Sequence, residues 1–406
     1  MTDQEARERV MKAAARAVPA FTAGDGEPTK RLQTLMDAHG EILAARGPAH
    51  PLTFSGFLDS LTGDLAGLLP AGVEPEELEG VHLIDPDGYP ADELFDITYE
   101  QQMVLDAVRH KTRRDGSPPT IEELDGELDQ VIVNEVLRQT GRQDDYVNGR
   151  RNLSTVPSGT EEEITELGLP ARIFQFYKPI DHAALFEQWW FACPFCRWPM
   201  KVTVHGRPGE RMGRVRCLYP AHAETLGAHY MFSIPEVGAP PVLLPTLDVP
   251  RLSAEAKVLA PEVRGEIPVA VPAAGHWALK RGPWRYTTVP GLTEIALFEV
   301  LRERGVHVDL WPDLDSYDIR AVPATPCGEK VEFRIDIKDF TSGFLLGEKI
   351  RRDKGDKGGA KWIVVPDYRH TQLPYLRGVC DEYGLRVATA TVMGKMICET
   401  AGVRWV

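Results

Sequence analysis

The sequence predicts a mixed α/β (α+β) protein. It would comprise a mostly helical N-terminal region, a small cysteine-bounded insert, and a C-terminal core ordered helix, three strands, helix, strand, helix, strand. Three observations carry that expectation. Residues 1 to about 150 read as helices broken by loops such as TAGDGEPTK and DPDGYPADE. A close CxxC pair, Cys193 and Cys196, opens a stretch that holds Cys217 and several histidines. From Tyr286 onward the apolar residues switch between a helical period and strict alternation.

Composition bounds the rest. A chain of 406 residues, 43% hydrophobic, can bury a sizeable core and divides naturally into two or three domains. No stretch approaches the run of about 20 apolar residues that a membrane helix needs. The start, MTDQEARERVMKAAARAV, is charged and amphipathic, unlike a secretory leader, so a cytoplasmic protein without a membrane partner is expected. Six cysteines are too few for a disulfide framework in a chain of this length. The net charge of −14 excludes indiscriminate coating of nucleic acid. That charge is uneven: residues 281–406 carry 19 Lys and Arg against 18 Asp and Glu, which leaves −15 on the first 280. The C-terminal third can therefore approach phosphates.

Along the chain, residues 1–150 form the helical region. Within it, TYEQQMVLDAVRHKTRRDGSPPTIEELDGEL (98–130, approximately) reads as helix, turn and a second helix opened by Thr120 with Glu123 three residues on, a capping box. This segment resembles the start of a winged helix-turn-helix, with a plain helical hairpin as the other reading. Residues 151–189, including STVPSGTEEEITE, are a polar linker or an exposed acidic helix. Residues 236–280, with PEVGAPPVLLPTLDVP and EIPVAVPAAG, are too rich in proline for long helices and connect domains through short extended pieces.

Between them, residues 190–235 hold FACPFCRWPMKVTVHGRPGERMGRVRCLYPAHAETLGAHYMF. Cys193 and Cys196 form one knuckle, and Cys217 with His222 a second, separated by a hairpin-like stretch. Tetrahedral Zn2+ takes four such ligands without needing a large core, so a structural zinc ribbon is expected. His205 and His229 compete with His222 for the fourth position. The surplus of Arg197, Lys201, Arg207, Arg211, Arg214 and Arg216 over Glu210 and Glu224 is either a phosphate contact or a solvated basic face.

In the last region, residues 281–406, PGLTEIALFEVLRERG places Leu292, Ile295, Phe298 and Leu301 on one helical face, with Glu294 off it. GVHVDLWP and SYDIRAV alternate as strands. VEFRIDIKDF then sets Val331, Phe333, Ile335 and Ile337 on one face and Glu332, Arg334, Asp336 and Lys338 on the other. A helix (TSGFLLGEKIRRDK), a Gly/Lys loop, a buried strand (KWIVVPDY), a helix (QLPYLRGVCDEYG) and a last strand (LRVATATVMG) follow. Arg351, Arg352, Lys354, Lys357 and Lys361 around the loop are phosphate contacts or a mobile charged surface.

That order, with Asp318 on the second strand and Asp336-Ile337-Lys338 on the third, resembles the PD-(D/E)xK nuclease superfamily, the restriction-endonuclease-like fold. The resemblance implies that Asp318 is the first aspartate, Asp336 and Lys338 the acid and lysine of the tripeptide, and Glu294 the acid of the first helix. Pro312-Asp313 and Asp315 offer alternative first acids. It further implies Mg2+ or Mn2+ held by Glu294, Asp318 and Asp336, since hard cations take carboxylate oxygens. Lys338 would act on the attacking water. The wider arrangement looks like the nuclease components of prokaryotic PIWI-related and helicase defence modules, which implies an endonuclease that cleaves phage or plasmid DNA beside a helicase or PIWI-type partner. The competing expectations are a catalytically silent adaptor of the same build and a transcription regulator resting on residues 98–130.

Overall fold

A computed structural model describes residues 2–22, 27–84, 132–205, 211–246, 252–260, 266–325 and 331–406, with isolated positions between 84 and 132 and Gly328. The helix-turn-helix-like stretch apart from Thr98 and Asp129, together with Arg207 and Glu210, lies outside the described residues. The chain forms two compact units. The first comprises Met1–Asp115, Phe340–Arg352 and Thr371–Val379, and the second Gly116–Asp339, Asp353–His370 and Cys380–Val406. Among the described residues no helix is long and apolar enough to cross a membrane.

In the first unit, α1 (Asp3–Thr22) buries a small-residue stripe of Val10, Ala13, Ala14, Ala17 and Val18. The stripe packs against α2 (Pro28–Arg46), which starts with proline in its first turn and buries Leu35, Ala38 and Ile42. Lys12 of α1 reaches Glu348 at 2.7 Å, which ties the helix Gly343–Arg352 to α1.

In the second unit a helical stretch at 132–138 precedes α3 (Gln143–Thr155). After short strands at Ser158–Thr160, Tyr177–Pro179 and Trp189–Trp190 comes an antiparallel sheet of β1 (Lys201–His205), β2 (Met212–Arg216) and β3 (His229–Ser233), with Leu244–Pro245 at its edge. The helix α4 (Val289–Glu303) then leads into a five-stranded sheet, β4 (His307–Leu310), β5 (Ile319–Val322), β6 (Phe333–Ile337), β7 (Trp362–Val365) and β8 (Arg386–Thr389), in that spatial order. β4, β5 and β6 form an antiparallel meander with Ile319 opposite Ile335, while β7 and β8 continue parallel. Short connections suit antiparallel neighbours, and parallel ones need a crossover, which the segments 340–361 and 366–385 provide. The apolar run Ile363–Val365 is fully buried, as a strand between two parallel neighbours should be.

The mixed helix-and-sheet class expected from the sequence is the one observed. One element differs. Alternating β-branched residues extend the last strand to Gly394 on sequence grounds, but β8 stops at Thr389. Its side chain there accepts from Val392 N, and α5 (Ala390–Ala401) follows. A threonine at the N-cap outweighs the strand propensity of ATV because it satisfies a helix-end donor.

Candidate active site and metal centre

Glu294, Asp318, Asp336 and Lys338 come from three elements that fold next to one another. β5 and β6 are paired, so Asp318, just before β5, lies beside the end of β6: its backbone N–H donates to Ile335 O, and its Oδ2 accepts from Ile337 N at 2.5 Å. Lys338 Nζ sits 2.6 Å from Asp336 Oδ1 and 3.8 Å from Asp318 Oδ2, bridging the two acids. Glu294, off the apolar face of its helix in the sequence reading, is only 1% exposed. It is buried against a partner that the sequence reading did not name, Arg150 of α3.

Arg150 Nη2 donates to Glu294 at 2.8 Å and lies 3.6 Å from Asp318, while Nη1 pairs with Asp315. The guanidinium also stacks 4.6 Å over the Trp311 ring, and the indole N–H of Trp311 donates to Glu294. Tyr146, one turn before Arg150, donates to Asp315 at 2.9 Å. α3 and α4 can meet so closely because position 291 is glycine: a Cβ there would stand 2.3 Å from Ser154 Oγ.

Asp315 is one of the alternative first acids that the sequence offers. It belongs to a left-handed turn in which Trp311, Asp313, Leu314 and Asp315 all have positive φ. Such a backbone costs roughly 1–3 kcal/mol per residue and persists only where its surroundings over-determine it. Here Gln143 clamps it, donating to Trp311 O at 2.7 Å and accepting from Leu314 N at 2.9 Å. Asp313 lines the surface nearby, with Tyr317 and Arg320.

Four carboxylates, the buried Glu294, Asp318 and Asp336 and the partly exposed Asp315, thus share a cluster with two cations, the buried Arg150 and the partly exposed Lys338. Arg138 also approaches Asp315, at 3.6 Å, but from a half-exposed position where solvent screens it. Counted as ionised, the four carboxylates exceed the two cations by two charges, and burial favours the protonated form of two of them. Burial pushes the Glu294 carboxyl up despite Arg150, and burial with the neighbouring Glu294 pushes Asp318 well above the usual carboxylate range. Burial alone would lower the Lys338 ammonium, but Asp336 and Asp318 outweigh it and raise it. A hard divalent cation fits this donor set by charge and by oxygen chemistry.

Beyond Lys338, the Gly/Lys loop is less exposed than its composition implies. Lys357 is 8% exposed and pairs with Asp353 at 2.7 Å, whereas Lys354 and Lys361 are exposed.

The second constellation is soft. Cys193, Cys196, Cys217 and His222 are all buried and bring their ligand atoms within 4.8 Å of one another. Of the three histidines weighed for the fourth place, His222 is the one that joins the cysteines. Cys196 Sγ to Cys217 Sγ is 3.8 Å, Cys217 Sγ to His222 Nδ1 is 3.7 Å and Cys193 Sγ to His222 Nδ1 is 3.9 Å. A tetrahedron with Zn–S bonds of about 2.3 Å has edges of about 3.8 Å, so the four residues fit zinc. The first knuckle is shaped by a turn in which Arg197 takes a positive φ and donates its N–H to Cys193 O, and the second by the turn from Cys217 to Ala228.

Residues 291–405 match the family model described as REase associating with pPIWI_RE. No curated protein and no solved structure matches the chain. The match supports a restriction-endonuclease-like domain, a nuclease-type function and a PIWI-associated setting. It takes in Glu294, Asp318, Asp336 and Lys338 and leaves Arg150, Tyr146 and the Cys3His cluster outside.

Proposed function

We propose that the protein is a Mg2+- or Mn2+-dependent DNA endonuclease of the PD-(D/E)xK type, acting against phage or plasmid DNA together with a pPIWI_RE-containing partner. The observation that carries the reading is the convergence of Asp318, Asp336 and Lys338 at the end of β6, with Glu294 held beside them, so that more carboxylates than cations meet inside the stretch that matches the nuclease family model. Buried charge is expensive unless it is paired or binds a metal, and one divalent cation supplies the missing charge.

Asp318 and Asp336 would hold the ion, with Glu294 behind them. When bound, it neutralises charge on the scissile phosphate and lowers the pKa of a bound water. Lys338 holds a positive charge beside both acids, placed to orient the attacking water and to stabilise charge that develops on the phosphate. Arg150 fixes Glu294 and Asp315 and keeps the first-helix acid turned toward Asp318. The Cys3His cluster would hold one structural Zn2+ in a zinc ribbon.

The test is cleavage of plasmid and linear DNA by purified protein with Mg2+ or Mn2+, with and without the partner. Asp336→Ala and Lys338→Ala should each lower kcat by about 10²-fold or more. Indistinguishable wild-type and Asp336→Ala proteins under every metal, substrate and partner condition would leave an adaptor in place of an enzyme.

A further inference from the structure

The residue after Lys338 is a buried aspartate for which the nuclease reading has no use. The Asp339 side chain is 0% exposed. Its carboxylate accepts from Tyr219 OH at 2.7 and 2.6 Å, from Tyr368 OH at 2.8 Å and from Arg369 Nε at 3.1 Å. Its carbonyl accepts from Arg285 Nη2 at 3.1 Å. Three segments therefore close on a single acid: the loop after β7, the turn that precedes α4, and the second cysteine knuckle.

Tyr219 is the unusual member. It lies two residues past Cys217, and its backbone N–H points at Cys217 Sγ from 3.4 Å. Its ring stands edge-on to His222, with centroids 4.9 Å apart and planes at 86°, and the Arg285 guanidinium lies 4.8 Å over it. One residue thus touches the Cys3His cluster with its backbone N–H and ring and the segment after β6 with its hydroxyl. Cys217, Tyr219 and Asp339 are linked by direct contacts in the interior, and Lys338 is the residue that precedes Asp339 in the chain.

We propose that Tyr219 and Asp339 are positioning residues that make the acidic site depend on the metal in the Cys3His cluster. With a metal bound, the loop from Cys217 to His222 is pinned, Tyr219 holds Asp339, and Asp339 fixes the backbone from which Lys338 reaches Asp336 and Asp318. With the cluster empty, the four ligands have no common centre, the loop relaxes and Tyr219 no longer holds Asp339. The proposal rests on the reading of Asp318, Asp336 and Lys338 as a divalent-cation site.

The experiment measures Mn2+ affinity by electron paramagnetic resonance on the full chain, in four samples: wild type and Tyr219→Phe, each zinc-loaded and chelator-stripped. Asp336→Asn identifies the acidic site, and zinc content and far-UV circular dichroism are followed throughout. Tyr219→Phe keeps the ring against His222 and Arg285 and removes only the hydroxyl. In loaded protein it should retain one zinc per chain yet bind Mn2+ about tenfold more weakly, a coupling of ordinary size. Stripping zinc should weaken Mn2+ binding by a similar factor in wild type and add little in Tyr219→Phe. Equal Mn2+ affinity in loaded wild type and Tyr219→Phe overturns the proposal, and this comparison needs no stripped protein to stay folded. Zinc removal that weakens both proteins alike also overturns it. Wild type that binds Mn2+ at Asp336 but cleaves no DNA removes the nuclease reading and leaves the coupling intact, whereas absence of Mn2+ binding at Asp336 removes both.

Discussion

Replacing Arg150 by methionine should turn the acidic cluster into a stronger metal site at the cost of metal-free stability. The guanidinium is buried; it pairs with the buried Glu294 at 2.8 Å and with the partly exposed Asp315, and it lies 3.6 Å from the buried Asp318. Methionine keeps an unbranched chain of similar length and removes the charge that stands over Trp311, so the formal surplus grows from two negative charges to three. Removing one partner of a buried ion pair costs about 3–5 kcal/mol because the other charge stays behind uncompensated. A divalent cation offsets part of that. If it recovers even 1.4 kcal/mol, Mg2+ must bind tenfold more tightly to the variant than to wild type. At a concentration of 100 times the wild-type dissociation constant, Mg2+ stabilises wild type by about 2.7 kcal/mol and such a variant by about 4.1 kcal/mol, so the stability gap narrows. Calorimetric titration with Mg2+ and thermal unfolding at several Mg2+ concentrations read both quantities. Arg150→Lys, which keeps the charge, should show little of the affinity gain. A variant whose Mg2+ affinity equals or falls below that of wild type would refute the argument that Arg150 and the metal answer the same surplus charge.

Other expectations follow from the same geometry. Glu294 and Asp318 bind protons more tightly in the folded than in the unfolded chain, so metal-free stability should fall as pH rises from about 4 through their raised folded values. Mg2+ competes with those protons, and its stabilising effect should therefore grow with pH, as thermal scans at pH 5 and 8 would show. Cys196→Ser removes one of four ligands and should take zinc content below one per chain and lower the unfolding temperature; metal analysis with calorimetry checks both. Gly291→Ala drives a Cβ to within 2.3 Å of Ser154 Oγ and should cost about 1–3 kcal/mol in spite of alanine's higher helix propensity, with partial recovery in the Ser154→Gly background.

The C-terminal sheet was legible because its signals are local. Alternation marks β4 to β6, and an Asp-x-Lys on one strand beside an aspartate on its neighbour survives as a pattern in one dimension. Cys193 and Cys196 announce a knuckle by spacing alone. Arg150 was not legible in that way. It sits 144 residues before Glu294 in the chain, and in QDDYVNGRRNLST nothing distinguishes it from Arg151, whose charge meets Glu299 at a half-buried position. The only trace is that Tyr146, Arg150 and Ser154 recur every four residues on the face that also carries Leu153, which puts an arginine on a buried stripe. A buried arginine requires an acid, but the sequence does not say which one. The N-cap at Thr389 escaped for a related reason, since threonine serves equally well in a strand and at the start of a helix.

The left-handed turn at Trp311–Asp315 explains why residues outside the matched stretch belong to the site. Four non-glycine residues at positive φ store several kcal/mol by any ordinary scale, and a free loop of this sequence would relax. What holds it is α3: Gln143 takes its backbone at both ends, Tyr146 and Arg150 take Asp315, and Arg150 lies across the Trp311 ring whose N–H reaches Glu294. The turn in turn feeds straight into Asp318. Residues 291–405 without α3 would carry Asp336 and Lys338 on an intact β6, but the turn would lose the clamp of Gln143 and Tyr146, and the placement of Asp318 that follows it would loosen by more than the removal of the Arg150 charge could offset. Such a fragment should keep the sheet, as judged by circular dichroism, while binding Mn2+ more weakly than the whole chain. Equal Mn2+ affinity in fragment and full chain would show that the turn holds its shape unaided and that α3 is packing alone.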